Sequence, residues 1–187
     1  MAAGMLIILS PVFLVLAIMI KRDSEGEVFF RQTRVTQYGR TFGIYKFRTM
    51  VKNAESLGAQ VTSQNDMRVT KVGNMLRSCR LDELPQLINI LLGDMSFVGT
   101  RPEVPRYVEA YTNEMKATLL LPAGVTSVAS IAYKDEDQLL QNAKNVDDVY
   151  INEVLPGKMA WNLKSIKEFS FLQDIKTMVD TVLAVLR

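Results

Sequence analysis

Asp82 and Glu83 stand side by side within Arg80-Leu81-Asp82-Glu83-Leu84-Pro85-Gln86-Leu87-Ile88-Asn89, with Arg77 and Arg80 just ahead of them. Two neighbouring carboxylates flanked by cations suit nucleophilic attack, general acid–base work or a hard metal ion. The chain has no histidine, so imidazole bases, imidazole metal sites and Ser-His or Cys-His pairs are excluded. Its single cysteine, Cys79, forms no internal disulfide and no thiolate cluster, which suits a reducing compartment and is read as a small core or near-site residue. Chemistry must therefore come from carboxylates, lysine, arginine, hydroxyls or an oxygen-held metal. A blander account competes: acidic residues favour the first turn of any helix, where the dipole stabilises their charge. Pro85 suits that first turn, and Leu84, Leu87, Ile88, Leu91 and Leu92 recur at helical spacing, predicting one buried face.

The elements that would position this pair read as follows. Glu27–Gln32 and Thr41–Arg48 are short, aromatic and β-prone, and Gln37-Tyr38-Gly39-Arg40 supplies a turn between them, so a hairpin is expected. Strand alternation points Lys46 and Arg48 to one side, either into a site or onto a solvated face. Residues 52–67 are polar and aperiodic and read as a mobile loop. Lys71–Arg80 and Asp82–Leu92 read as helices, Met95–Pro102 as an extended connector, and Glu103–Leu120 as a helix with Val104, Tyr107, Val108 and Tyr111 on one face. Leu121–Thr126 reads as a turn. Asp135-Glu136-Asp137 opens a further helix, and Asp147 to about Ile166 is helical with a restart at Pro156. Ser170 then caps a last helix whose apolar stripe includes Phe171, Ile175, Met178, Val182 and Leu186. Core packing is expected for that stripe, with a membrane interface as the alternative.

Charge is unevenly spread. Residues 1–20 carry none; residues 21–81 hold 12 Lys/Arg against 5 Asp/Glu, and residues 82–187 hold 10 against 15. A basic middle directly behind an apolar segment suits an anionic membrane surface or an anionic substrate rather than nucleic acid. Met1–Ile20 as a helix would rise about 30 Å, one hydrocarbon thickness. Lys21-Arg22 place its C-terminal side in the cytoplasm. Ser10-Pro11 interrupts it: proline removes one backbone hydrogen bond, and the serine hydroxyl can serve the carbonyl left behind. A kinked span and a helix that enters and leaves on the same face both satisfy this pattern.

Taken in order, four motifs resemble the bacterial sugar transferase family, the monotopic polyprenol-phosphate phosphoglycosyl transferases. They are Val28-Phe29-Phe30-Arg31-Gln32, Ile44-Tyr45-Lys46-Phe47-Arg48-Thr49-Met50, Leu81-Asp82-Glu83-Leu84-Pro85-Gln86-Leu87 and Gly93-Asp94-Met95-Ser96-Phe97-Val98-Gly99. The resemblance implies a mostly helical α+β fold: a re-entrant membrane helix over residues 1–22, broken at Ser10-Pro11, and a catalytic domain over 23–187. That domain would hold a small β-hairpin and several amphipathic helices around the active site, on the cytoplasmic face of the bacterial inner membrane. It implies transfer of a sugar 1-phosphate from a UDP-sugar to polyprenol (undecaprenyl) phosphate with release of UMP, in exopolysaccharide or glycoconjugate assembly. Asp82 would be the nucleophile, Glu83 a ligand of Mg²⁺, and Lys46 the active-site lysine. Arg48, Arg77, Arg101 and Pro102 would contact substrate. The chain departs from the family pattern at Thr100, where a first proline is usual, across Leu121–Ile131, and at its start, where a basic stretch is usual ahead of the apolar run. Two other classes are carried as alternatives: a membrane-associated phosphohydrolase and a catalytically inactive membrane adaptor.

Overall fold

The computed structural model describes residues 1–54, 66–140 and 145–186, so the expected loop over 52–67 falls mostly outside the described residues. Its contacts divide the chain into two units, Met1–Gln32 with Ile44–Gly93, and Thr33–Gly43 with Asp94–Arg187. The fold is α+β and mostly helical, as the sequence predicts.

In the first unit α1 (Ala2–Asp23) is one unbroken helix, long and apolar enough to cross a membrane. Pro11 has no N–H to offer the carbonyl four residues back, which is Ile7. The Ser10 hydroxyl donates to that same carbonyl at 2.7 Å, so the expected serine repair is present and the helix runs on. One side of α1 contributes Leu16 and Ile20 to a core with Phe47 and Leu76, against which Phe13, Val72 and Leu81 pack. The other side leaves Ile7, Ile8 and Leu14 exposed. α2 (Lys71–Ser78) begins at Thr70, whose hydroxyl accepts from Gly73 N at 3.0 Å, while the Asp23 carboxylate accepts from Val72 N at 2.9 Å. Two side chains thus occupy amides that the helix start leaves unsatisfied. α3 (Gln86–Leu91) is shorter than the sequence predicts, and Leu91 and Leu92 are exposed rather than part of a buried face.

β1 (Phe29–Val35) and β2 (Thr41–Phe47) form the expected hairpin. Its connection is a single 3₁₀ turn, with Tyr38 and Gly39 in the left-handed region and Thr36 N bonded to Arg40 O at 2.8 Å.

In the second unit β3 (Met95–Val98) pairs in parallel with β4 (Ala123–Thr126), Met95 opposite Ala123 and Val98 opposite Thr126. The sequence reads the second of these as a turn. Gly99 and Gly124 let the two backbones meet: a Cβ on Gly124 would lie 2.1 Å from Gly99 N. The single helix expected over Glu103–Leu120 is two pieces, α4 (Pro105–Glu109) and a 3₁₀ stretch over Met115–Leu120. The Thr112 hydroxyl accepts from Met115 N at 3.2 Å, a local alternative that favours a restart over continuation. α5 (Val128–Ala132), α6 (Glu136–Leu140) and α7 (Val146–Val149) follow; a π turn over Tyr150–Val154 then leads into α8 (Leu155–Lys167). α9 (Phe171–Leu186) packs on α5, β3 and β4.

α9 is turned the opposite way from the sequence expectation. Its packed side carries Thr177, 2% exposed, and Thr181, whose hydroxyl lies 2.6 Å from that of Thr126. Phe171, Leu172, Val179 and Val182 are all more than half exposed. Thr177 and Thr181 also donate to the carbonyls four residues back, so their hydroxyls enter the interior with partners and at little desolvation cost.

Candidate active site

The acidic pair sits in the first unit on a short turn rather than in an α-helix. α2 ends at Ser78, and Arg80 adopts the left-handed region at φ 55°. Leu81–Glu83 then forms one 3₁₀ turn, and Pro85 starts α3. Asp82 is 8% exposed. The Glu83 carboxylate accepts from Lys46 Nζ at 3.0 Å, with both side chains mostly shielded. Lys46 reaches it because β2 alternates: Phe47 enters the core at 1% exposure while Lys46 projects to the opposite side. The solvated-face alternative for Lys46 and Arg48 is thereby replaced by a shielded one.

Asn89 holds the strand in register with the pair. It is fully buried, and its Oδ1 accepts from Tyr45 N at 2.9 Å, one residue before Lys46. The neighbouring Gln86 is also fully buried, with neither side-chain atom hydrogen-bonded. The sequence signal for both was two amides, three apart, inside an otherwise apolar run. Read as a helix stripe, that run hides them.

Arg48 points elsewhere. Its Nη2 donates to Ser24 O at 2.7 Å and to Ser24 Oγ at 3.1 Å, a cation set against the C-terminal end of α1. Its Nε and Nη1 are buried without partners. Gly26, at φ 123°, makes room: a Cβ there would lie 2.2 Å from Nη1. Arg77 is partly buried in the last turn of α2, which packs against the Leu81–Glu83 turn. Cys79 is exposed, so the core reading fails and the near-site one stands: it follows the end of α2, just ahead of the turn that carries Asp82. Ser10 and Pro11 lie within α1.

Arg101 and Pro102 belong to the second unit. Pro102 is buried, and its carbonyl accepts from Arg34 Nη1 at 3.1 Å. They line a small surface depression together with Val35, Glu103, Tyr111 and Ala123.

The donor set at the acidic pair is hard oxygen. Among the described residues no group of three or more His, Cys, Asp or Glu could enclose a metal. Magnesium does not require such a cage: one or two carboxylates, water and substrate phosphates are its usual ligands, and this pair fits that mode.

The chain matches the model of the family described as bacterial sugar transferase over residues 1–187. It is 37% identical over 180 residues to a UDP-N-acetylgalactosamine-undecaprenyl-phosphate N-acetylgalactosaminephosphotransferase of Aeromonas hydrophila, covering 95% of this chain and 40% of that one. It is 37% identical over 187 residues to a UDP-glucose:undecaprenyl-phosphate glucose-1-phosphate transferase of Escherichia coli (strain K12), covering 97% and 38%. A putative undecaprenyl-phosphate N-acetylgalactosaminyl 1-phosphate transferase of Bacillus subtilis (strain 168) is 43% identical over 105 residues, 56% of this chain and 59% of that one. The chain thus spans about two fifths of the first two relatives. With the match running from the first residue to the last, the chain belongs to the bacterial sugar transferase family.

Proposed function

We propose that the chain carries the catalytic part of a phosphoglycosyl transferase, passing a sugar 1-phosphate from a UDP-sugar to undecaprenyl phosphate. The observation that carries this reading is the shielded Asp82–Glu83 turn with Lys46 Nζ 3.0 Å from Glu83. An Asp82 carboxylate oxygen forms a bond to the phosphorus that bears the sugar. The bond from that phosphorus to the bridging oxygen breaks, and UMP leaves with the oxygen and its electron pair. A phosphate oxygen of the lipid then attacks the same phosphorus and the aspartyl bond breaks. The carboxylate is regenerated and the sugar sits on a polyprenol diphosphate.

Attack of one anion on another needs cations in place before the reaction. Lys46 supplies one, held by Glu83 and by the strand register that Asn89 fixes. Arg77 adds positive charge beside the turn, and Arg101 with Pro102 is assigned to the nucleotide by the family pattern. Magnesium, held by Glu83 and the diphosphate, would neutralise charge on the phosphate oxygens. Two apolar surfaces suit work at a bilayer: α1 itself, and the outward stripe of α9. We assign residues 1–22 to a membrane helix that becomes re-entrant in the bilayer by bending at Ser10-Pro11, where Pro11 leaves a gap in the backbone hydrogen bonds of α1. Residues 23–187 we assign to a catalytic domain at the cytoplasmic face of the inner membrane. The names of the relatives support the donor and acceptor classes.

The test is UMP release by detergent-solubilised protein with magnesium, undecaprenyl phosphate and a panel of UDP-sugars, beside Asp82→Asn. Acceptor-dependent release that the substitution abolishes is the expected result. Continued release without acceptor, beyond one UMP per enzyme, would instead indicate a phosphohydrolase, and no release from any donor an inactive adaptor.

A further inference from the structure

Glu103 follows directly on Pro102 and is only 5% exposed. Its Oε1 accepts from the Tyr150 hydroxyl at 2.5 Å and from Lys158 Nζ at 3.3 Å. Lys158, also 5% exposed, donates further to the Tyr150 oxygen at 2.8 Å and to Glu136 at 2.9 Å. Arg34 approaches the other Glu103 oxygen at 3.9 Å. Two carboxylates and two cations therefore balance in one buried cluster. Burial alone would push the Glu103 carboxyl up, but Lys158, Arg34 and the Tyr150 hydrogen bond overcome it and hold the group below the usual carboxylate range.

Such a cluster is a poor stabiliser. Desolvating the ions costs about what their attraction returns, and well-packed apolar side chains would serve the core as well. What the cluster touches suggests another use. On one side of Arg101, Gly99 N bonds to Thr126 O at 3.0 Å and Thr100 O accepts from Gly124 N at 2.9 Å. On the other side, Pro102 O accepts from Arg34, and Glu103 O accepts from Val35 N at 3.0 Å. The backbone is pinned both before and after Arg101, and the Glu103 side chain ties the same segment to Tyr150 and Lys158, far downstream in sequence. The motif departs from the family pattern at Thr100, so it lacks a proline that would stiffen it from within.

We propose that Glu103 and Lys158, with Tyr150, are positioning residues that fix the Arg101–Pro102 segment for the donor nucleotide. This rests on the transferase reading above. Neither residue is assigned contact with substrate; both act through the segment. Their loss lets the segment sample other conformations, so binding of the nucleotide weakens while the bond-making step at Asp82 is spared.

The experiment measures donor KM, kcat and melting temperature for Glu103→Gln, Lys158→Met, the double variant Glu103→Gln/Lys158→Met, and Lys158→Arg. Each single variant leaves the cluster one charge out of balance and is expected to melt lower. The double variant removes both charges and is expected to recover most of that loss. Donor KM is expected to rise about tenfold or more in the single and double variants, with kcat within about threefold of wild type and acceptor KM unchanged. Lys158→Arg, which keeps the cation, is expected to retain a donor KM near wild type. A folded double variant with wild-type donor KM would overturn the proposal, as would a KM that recovers in step with melting temperature. Absence of UMP release from the wild-type protein would overturn the transferase reading and this inference with it, and is told apart by the wild-type control alone.

Discussion

Lys46 brings a cation to the acidic turn from a different element, its ammonium 3.0 Å from Glu83. Replacing it by methionine keeps the stem and removes the charge, and turnover should fall by about a hundredfold or more if the cation stabilises developing phosphate charge. Steady-state UMP release measures this, and a loss under threefold would remove Lys46 from the chemistry. Asp82→Asn should be inactive, and a phosphosugar adduct found by mass spectrometry on wild type should be missing from it. Asn89 acts one step back. Asn89→Leu strands the buried Tyr45 N–H, which should cost about 1–3 kcal/mol in denaturant unfolding and lower kcat through Lys46.

At the scale of elements, the parallel β3–β4 pair anchors the segment that leads into Arg101. Gly124 cannot accept a side chain there, since an added Cβ would meet the Gly99 backbone at 2.1 Å. Gly124→Ala should therefore destabilise by about 1–3 kcal/mol, read from urea midpoints. The same unit should be acid-sensitive through Glu103. Its folded pKa lies below the ordinary value, so the stability it contributes is complete above the unfolded carboxylate pKa of about 4.3. It is lost as pH falls from there through the folded value. Glu103→Gln should lower stability at neutral pH and flatten the decline of stability below about pH 4. An unfolding curve series from pH 7 to 3 gives both.

At the scale of the whole molecule, α1 and the outward side of α9 expose large apolar surfaces among the described residues, and the basic middle follows α1 at once. Binding to vesicles should thus combine an apolar part that resists salt with a basic part that weakens in it. The triple substitution of Phe171, Leu172 and Val182 by serine removes exposed side chains, so melting temperature should change little. Co-sedimentation with vesicles containing anionic lipid should fall, while α1 keeps a residual attachment. Unchanged sedimentation would take α9 out of membrane association.

Local chemistry alone determined much of this protein. The uncharged run of residues 1–20 made α1, Ser10-Pro11 specified its own repair at Ile7, and strand alternation set Lys46 against Phe47. Ser170 marked the start of α9, and the adjacent Asp82 and Glu83 marked the site. Periodicity did not settle which side of a helix faces inward. The α9 stripe reads as core, yet Thr177 and Thr181 are the packed side because β3 and β4 offer Thr126 and a close backbone. The strand at Ala123–Thr126 exists only through its partner, in which Met95 pairs with Ala123 and Val98 with Thr126, and four residues are too few to announce a period. Glu103 lies outside any helix or strand and far in sequence from Tyr150 and Lys158, so only the tertiary structure and their burial make the cluster visible.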